Sequence, residues 1–107
     1  MEKLAINIFP HPSKRKELLS AGHMISNQTL EEIGCMDSRV HADDGEESAI
    51  HLEQHWRTRH QLDEYFRSDH FTALLGAMKL LAIDWEMVIN DGTPENASAA
   101  AKIARGP

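Results

Sequence analysis

The sequence predicts an α+β fold whose elements follow one another in the order β-α-β-β-α-β. Two patterns predict this order. Apolar and polar residues alternate in four short segments, which is typical of half-buried strands, and apolar residues recur every three or four positions in two longer segments, which is typical of amphipathic helices. The same order defines the ferredoxin-like arrangement, in which helices lie on one face of an antiparallel four-stranded sheet.

The first strand and the first helix are separated by a proline-rich turn. The β-rich segment 4–9 ends at Pro10-His11-Pro12, because proline lacks the backbone N–H that a strand uses for pairing. Ser13 then stands where its side chain can cap a helix that runs to about residue 30. One stripe of this helix recurs at spacings of three and four and is expected to be buried: Leu18, Ala21, Ile25 and Thr29.

Two further strands form a predicted antiparallel hairpin. Residues 35–41 alternate, with Cys35, Asp37 and Arg39 on one face. An acidic turn over residues 42–47 has Gly45 near its centre, and residues 48–56 then alternate again. One face of this second strand carries Ile50, Leu52, Gln54 and Trp56.

The second helical region is divided in two and leads into a fourth strand. Thr58 and Gln61 form a capping box, so a helix begins near Arg59, and Ser68 offers a second cap. The buried positions of the two helices recur at helical spacing: Leu62, Tyr65, Phe66, Phe71, Leu74, Leu75 and Met78. Strand four covers residues 81–91, where four alternating residues share a face: Ile83, Trp85, Met87 and Ile89.

These elements make one domain over residues 1–91, followed by a C-terminal tail over residues 92–107. The tail begins with Thr93-Pro94 and is rich in alanine. It contains too few large apolar side chains to fold alone, so it is either one short helix or a disordered segment.

Composition excludes several classes of protein. The 107 residues include 11 basic and 17 acidic side chains, a net charge of −6, so binding to the phosphates of a nucleic acid is not expected. The longest apolar segment, residues 71–83, contains Lys79 and is too short to span a bilayer, and no secretory signal opens the sequence. No membrane partner is therefore expected. Cys35 is the only cysteine, which favours a reducing, cytoplasmic location.

A sheet covered by helices on one face leaves its other face open. If Asn7 points toward the helices, that open face carries Leu4, Ile6 and Ile8. A patch of exposed branched side chains favours association with a second copy, so we predict a homodimer. The alternative is a monomer whose tail folds back over the sheet.

The segment from Trp56 to Phe71 resembles the signature of the antibiotic biosynthesis monooxygenase (ABM) family. That signature is a strand ending in tryptophan, a short amphipathic helix and a Ser-Pro-His-Phe element, which reads Ser68-Asp69-His70-Phe71 in this chain. Upstream, Ile33-Gly34-Cys35 resembles the Pro-Gly-Cys element of the family. The resemblance extends over about residues 4–91 and implies a dimeric α+β barrel.

The resemblance also implies a range of activities. Some members oxidise quinols or anthrones with O2 and no metal or flavin, others degrade haem, and relatives isomerise small signalling molecules. Leu75 stands where haem-degrading relatives have the histidine that binds iron, and leucine cannot bind iron. We therefore expect an oxygenase that needs no cofactor and whose partners are O2 and a small electron-rich aromatic. The alternatives are a dimeric ligand-binding or scaffold protein without turnover and an isomerase.

Two polar residues are candidates for the chemistry. His70 lies in the first turn of a helix, where the positive potential disfavours imidazolium, so we expect a neutral ring that can accept a proton. Asn7 interrupts an apolar strand and could hydrogen-bond an oxyanion of the substrate. The structural alternative for both is a hydrogen bond to nearby backbone.

The candidate substrate pocket consists of the helix-side apolar and aromatic residues: Trp56, Tyr65, Phe71, Leu74, Leu75 and Met78. Each of them could instead be part of the core. No metal site is expected, because about 13 Å separates His51 from His55 along a strand that rises about 3.3 Å per residue.

Overall fold

The predicted α+β fold is confirmed by a computed structural model that describes residues 1–43 and 48–90. Four strands and three helices follow one another: β1 (Glu2–Pro10), α1 (Arg15–Thr29), β2 (Cys35–Ala42), β3 (Ile50–Trp56), α2 (Arg59–Phe66), α3 (Asp69–Leu81) and β4 (Ala82–Ile89). The strands form one antiparallel sheet in the order β2-β3-β1-β4. The helices cover one face of this sheet. The other face, called the open face below, is covered by none of the helices in the described residues.

The core lies between the helices and the sheet. It contains the apolar side chains that face inward from the three strands β1, β3 and β4, together with those that face the sheet from the helices. Its largest fully buried side chains are Trp56, Trp85, Tyr65 and Phe71. Four large rings and a row of branched aliphatic residues give a domain of this length enough apolar surface to bury.

The orientation predicted for β1 was wrong. Leu4, Ile6 and Ile8 point toward the helices and are almost completely buried, while Asn7 lies on the open face. Burial of each large aliphatic side chain contributes about 1.5–3 kcal/mol, so three of them together outweigh the preference of one amide for either face. The apolar patch that predicted a homodimer is therefore in the core.

Two irregularities interrupt the predicted alternation. A register shift between Cys35 and Asp37 places Met36 in a bulge, so Cys35 packs against the core while Asp37 stays on the open face. The prediction that these two residues share a face was wrong. A second shift, opposite Phe9 and Pro10, turns Ile83 outward with 54% of it exposed, so Ile83 leaves the buried row of β4.

The helix starts are confirmed for α2 and α3 and differ for α1. The Thr58 side chain accepts a hydrogen bond from the Gln61 N–H, and the Ser68 side chain accepts one from the Phe71 N–H. Ser13 does not cap α1: it lies inside a 3-10 turn, Pro12–Lys14, and α1 begins without a side-chain cap. Proline fits the first position of a helical turn, so Pro12 starts the turn before Ser13 can act as its cap.

Two predicted segments lie outside the described residues: the tail, residues 92–107, and residues 44–47 of the acidic turn. Among the helices of the described ranges, none has the length and apolar character needed to cross a membrane.

Candidate functional site

The residues predicted to line a pocket between the helices and the sheet pack against one another. Trp56, Phe71, Leu74 and Met78 each expose 1% or less of their surface. The Tyr65 ring lies 4.7 Å from that of Trp56 and 5.3 Å from that of Phe71, measured between ring centroids. Leu75 is partly buried beside this cluster. These residues therefore form part of a packed core and do not line an open pocket between the helices and the sheet.

His70 and Asn7 are not brought together. Asn7 is on the open face, where its side-chain N–H donates to Glu86 (3.1 Å) and its oxygen faces Nδ1 of His51 (2.8 Å). His70 is in the first turn of α3, on the helix-covered side of the sheet. The prediction that the two groups converge in one apolar cavity was wrong, because the sheet lies between them.

His70 has a partner that the sequence did not indicate. Its Nδ1 atom is buried 2.9 Å from a carboxylate oxygen of Glu32, at ion-pair distance but without the direction of a hydrogen bond. The rest of the ring supplies the exposed third of the side chain. Glu32 is held in the turn after α1, where its N–H donates to Thr29 O (2.9 Å) and its carbonyl accepts from Cys35 N–H (3.1 Å).

The Glu32 carboxylate and the N-terminus of α3 both lie beside the His70 ring. The buried nitrogen of the ring is the one next to the carboxylate, so the exposed part of the side chain is on the opposite edge. The pair brings a carboxylate and an imidazole, two groups that can accept a proton, within 2.9 Å of each other.

A cleft opens beside this pair. It has a volume of about 360 Å³ and lies between the turn after α1 and one side of α2. Six residues line it: Glu32, Ile33, His60, Gln61, Glu64 and Tyr65. Of the predicted site residues, Tyr65 is the one that contributes to this lining. The Glu32 carboxylate therefore connects the cleft to His70.

Behind the cleft, Tyr65 belongs to a buried hydrogen-bond chain. The Trp56 indole N–H donates to the Gln54 side-chain oxygen (3.1 Å), which leaves the Gln54 amide N–H to donate to the Tyr65 hydroxyl (3.1 Å). The Tyr65 ring also lies beside Thr29, whose hydroxyl donates to the Ile25 carbonyl (2.8 Å).

The indole N–H of Trp56 and the amide N–H of Gln54 thus each have one acceptor in this chain. Burial raises the pKa of the Tyr65 phenol, so the ring stays neutral over the physiological range. Gln54 stands in the row of alternating residues that ends in Trp56. A polar residue in such a row was the signal that could have found the chain.

Gly34 packs against Gln61, one of the residues that line the cleft. Its φ of +91° lies in the left-handed region that favours glycine, and its carbonyl accepts a hydrogen bond from Arg57 N–H (2.8 Å). A Cβ at this position would clash with Oε1 of Gln61. That oxygen is buried and has no hydrogen-bond partner among the described residues, so Gln61 packs against Gly34 and does not close the capping box on Thr58.

The open face is polar. His51 contacts Asn7 and also lies 3.2 Å from an Asp43 carboxylate oxygen through Nε2. Lys3 pairs with Glu53 at 2.8 Å. In residues 1–43 and 48–90 no group of three or more histidine, cysteine, aspartate or glutamate side chains could hold a metal ion.

The antiparallel sheet covered by three helices defines an α+β domain of the ferredoxin-like type. The chain belongs to the antibiotic biosynthesis monooxygenase (ABM) family, because the family model matches residues 1–76. No curated protein matches the chain.

Solved structures share the fold at low sequence identity. An antibiotic biosynthesis monooxygenase is 22% identical with a TM-score of 0.75, over 88% of this chain and 100% of that one. A Bacteroides thetaiotaomicron protein of unknown function, described as a possible oxidoreductase, is 16% identical with a TM-score of 0.76, over 83% and 94% of the two chains. A conserved Methanosarcina mazei protein is 25% identical with a TM-score of 0.72, over 83% and 89%.

Proposed function

We propose that the protein is a monooxygenase that oxidises a small electron-rich aromatic compound, such as a quinol, with O2 and without a cofactor. Membership of the ABM family supports this class of reaction. The observation that carries the proposal is the Glu32–His70 pair at 2.9 Å, because its carboxylate lines a cleft that can hold a small ring. The site proposed is this cleft and not the packed interior.

The proposed reaction needs only a proton acceptor from the protein. A quinol takes up one oxygen atom of O2 and becomes a hydroxyquinone, and the other oxygen atom leaves as water with the two hydrogens that the quinol loses. The Glu32–His70 pair accepts the first phenolic proton, because the resulting phenolate reduces O2 far more readily than the neutral phenol does. Tyr65 forms part of the cleft wall, and Asn7 has no role in this proposal.

The test is oxygen uptake with a panel of quinols and anthrones in buffer containing a chelator. We expect uptake above the buffer rate, and a loss of about 10²-fold or more in Glu32→Gln and in His70→Asn, since general acid–base groups contribute at this level. His23→Asn, which changes an exposed histidine of α1, is the matched control and keeps full activity. Uptake by no member of the panel, or uptake that the chelator abolishes, would contradict the proposal.

A second candidate function is a ligand-binding or scaffold protein without turnover. The packing of Trp56, Phe71 and Met78 favours it, because the space that the family resemblance predicted for substrate is filled. Binding of a quinol without oxygen consumption would select this function. Conversion of a small carbonyl compound without oxygen consumption would instead select an isomerase.

We further propose that the protein works as a homodimer in the cytoplasm. Its family resemblance supports the dimer, and the single thiol of Cys35 supports a reducing compartment. The mass of the protein in solution, measured by light scattering, tests the oligomeric state.

A further inference from the structure

We propose that the cleft selects aromatic compounds that are neutral or positively charged and disfavours those that carry a carboxylate or a phosphate. This inference rests on the proposed function, because it names the class of substrate for the same site. The cleft lining contains the carboxylates of Glu32 and Glu64, and no lysine or arginine is among the six described residues that line it.

The arginine that pairs with Glu64 does not cancel the charge of this carboxylate inside the cleft. Glu64 pairs with Arg67 at 2.8 Å, but the Arg67 side chain is 70% exposed and is not part of the lining. The guanidinium therefore lies on the outer side of Glu64, where water and salt screen it. A ligand in the cleft is in contact with the carboxylates and is less screened, because the effective dielectric constant near a protein surface is about a quarter of that of water.

The rest of the lining fits a ring of modest size. Ile33 is 83% exposed and forms an apolar rim, and Tyr65 forms part of the inner wall. The volume of about 360 Å³ lies at the lower end of the range for small-molecule pockets, about 300–1,000 Å³. The cleft is therefore matched to a compound with one ring or two and with a cationic or uncharged polar substituent.

Three quinols that differ only in one substituent test the inference: hydroquinone, 2,5-dihydroxybenzylamine as its ammonium form, and 2,5-dihydroxybenzoate. Equilibrium binding is measured without oxygen, so no turnover takes place, at pH 8 and in 0.15 M and 1 M NaCl. We expect the ammonium compound to bind most tightly and the benzoate least, with about a tenfold difference at the lower salt that shrinks at the higher one.

Variants of the exposed pair move this preference in opposite directions. Glu64→Gln reduces the preference for the ammonium compound by about threefold, and Arg67→Gln increases it. Glu17→Gln removes an equal charge from the pair Lys14–Glu17. It lies about 18 Å from Thr29 along α1, at 1.5 Å per residue, which exceeds the Debye length of about 8 Å, so it leaves the preference unchanged.

The outcomes separate this inference from the proposed function. If the protein binds the ammonium compound selectively but consumes no oxygen, the inference about selectivity stands and the proposed oxygenase function is refuted. Oxygen consumption with equal or tighter binding of the benzoate refutes the selectivity and keeps the oxygenase. Failure to bind all three compounds, or a Glu64→Gln variant with unchanged preference, also overturns the inference.

Discussion

Gln54 is the residue on which the buried polar interior depends. Its amide joins two aromatic side chains that otherwise have no contact between their polar atoms: it accepts from Trp56 and donates to Tyr65. All three side chains are buried. An apolar group in place of the amide would leave the Trp56 indole N–H and the Tyr65 hydroxyl without this partner. A buried polar group without a partner is costly, because it has lost its hydrogen bond to water and gains none in the protein.

Substitution of Gln54 by leucine is therefore expected to destabilise the domain by about 1–3 kcal/mol, although the two side chains have similar volumes. Urea unfolding followed by tryptophan fluorescence measures this difference. Gln28→Leu is the matched control, because Gln28 is exposed on α1 and its removal leaves no buried group unpaired. The control is expected to change the free energy of unfolding by no more than about 0.5 kcal/mol. Equal effects of the two substitutions would show that the chain of hydrogen bonds adds nothing.

Asn7 and Gln54 also show how far single residues could be predicted. Both interrupt an apolar strand, and the prediction for Asn7 was based on Ile6 and Ile8, which flank it. Flanking residues in a strand point to the opposite face, so they say nothing about the environment of the side chain between them. The residues two positions away do share its face. For Gln54 these are Leu52 and Trp56, both buried, and that comparison would have identified Gln54 as the buried amide.

Gly34 cannot be replaced without strain at the cleft. Gly34→Ala is expected to cost more than about 1 kcal/mol, because the new Cβ meets Gln61 and because φ is +91°. In a double-mutant cycle, Gln61→Ala removes the contacts with Oε1 and Cδ but keeps the Gln61 Cβ at 2.7 Å and the backbone strain, so it recovers part of the lost stability. Thermal unfolding of the wild type, the two single mutants and the double mutant measures the cost of the side-chain contacts and the cost of the backbone strain. Full recovery in the double mutant would mean that the backbone conformation at residue 34 is not strained by a side chain.

The starts of helices α1 and α3 differ, because a side chain caps α3 and none caps α1. Ser68→Ala is expected to destabilise the domain by about 1 kcal/mol, because the hydroxyl caps α3 by accepting from Phe71 N–H and also donates to the Tyr65 carbonyl. Ser13→Ala serves as the control at the start of α1, where no side-chain cap is present, and is expected to have almost no effect. Chemical denaturation compares the two, and a cost at Ser13 equal to that at Ser68 would contradict the assignment of the caps.

Most elements could be predicted because their signals are local. The capping residues Thr58 and Ser68 and the alternation of β3 each depend on neighbours within a few positions. The bulge at Met36 could not be predicted, since a single extra residue changes the pairing partners without changing the composition of the strand. The Glu32–His70 pair was beyond reach for a different reason: it depends on how the turn after α1 packs against the start of α3.

The free energy of unfolding of the domain is expected to depend on pH, because the Lys3–Glu53 pair lies on the open face. The side-chain hydrogen bond from Lys3 holds the pKa of Glu53 below its usual value. A carboxylate whose folded-state pKa is lowered adds stability above its unfolded-state pKa, about 4.3, and this stability is lost as the pH falls through the folded-state pKa.

Lys3→Met is expected to lower the free energy of unfolding at pH 7 by less than about 1 kcal/mol, since the pair is partly exposed and screened. The difference from the wild type should vanish as the pH falls below the folded-state pKa of Glu53. Urea midpoints between pH 7 and pH 3 and the carbon chemical shift of the Glu53 carboxyl follow the two effects. Lys16→Met removes the same charge from an exposed site of α1 and controls for net charge. A difference that stays constant with pH would contradict the assignment to Glu53.

The aliphatic residues that predicted the homodimer are buried, so a dimer has to use the residues that are present on the open face. The apolar residues of this face include Phe9, which is 43% exposed, and the neighbouring pair Ala5 and Val88, which are register partners between β1 and β4. We expect light scattering to give a mass twice the 12.1 kDa of one chain, and Val88→Glu to give a monomer with an unchanged circular dichroism spectrum. Leu80→Glu, at an exposed position of α3, should remain dimeric. A wild type that stays monomeric at all concentrations would refute the dimer.

The buried hydrogen-bond chain has a consequence for oxidative damage to the core. A tyrosine that loses an electron must also release its proton to become a stable neutral radical. The polar side chains beside the Tyr65 hydroxyl belong to Gln54 and Thr29, and neither an amide nor an alcohol is a base that could take the proton. Tyr65 is therefore harder to oxidise by one electron than a tyrosine whose hydroxyl faces water or a carboxylate.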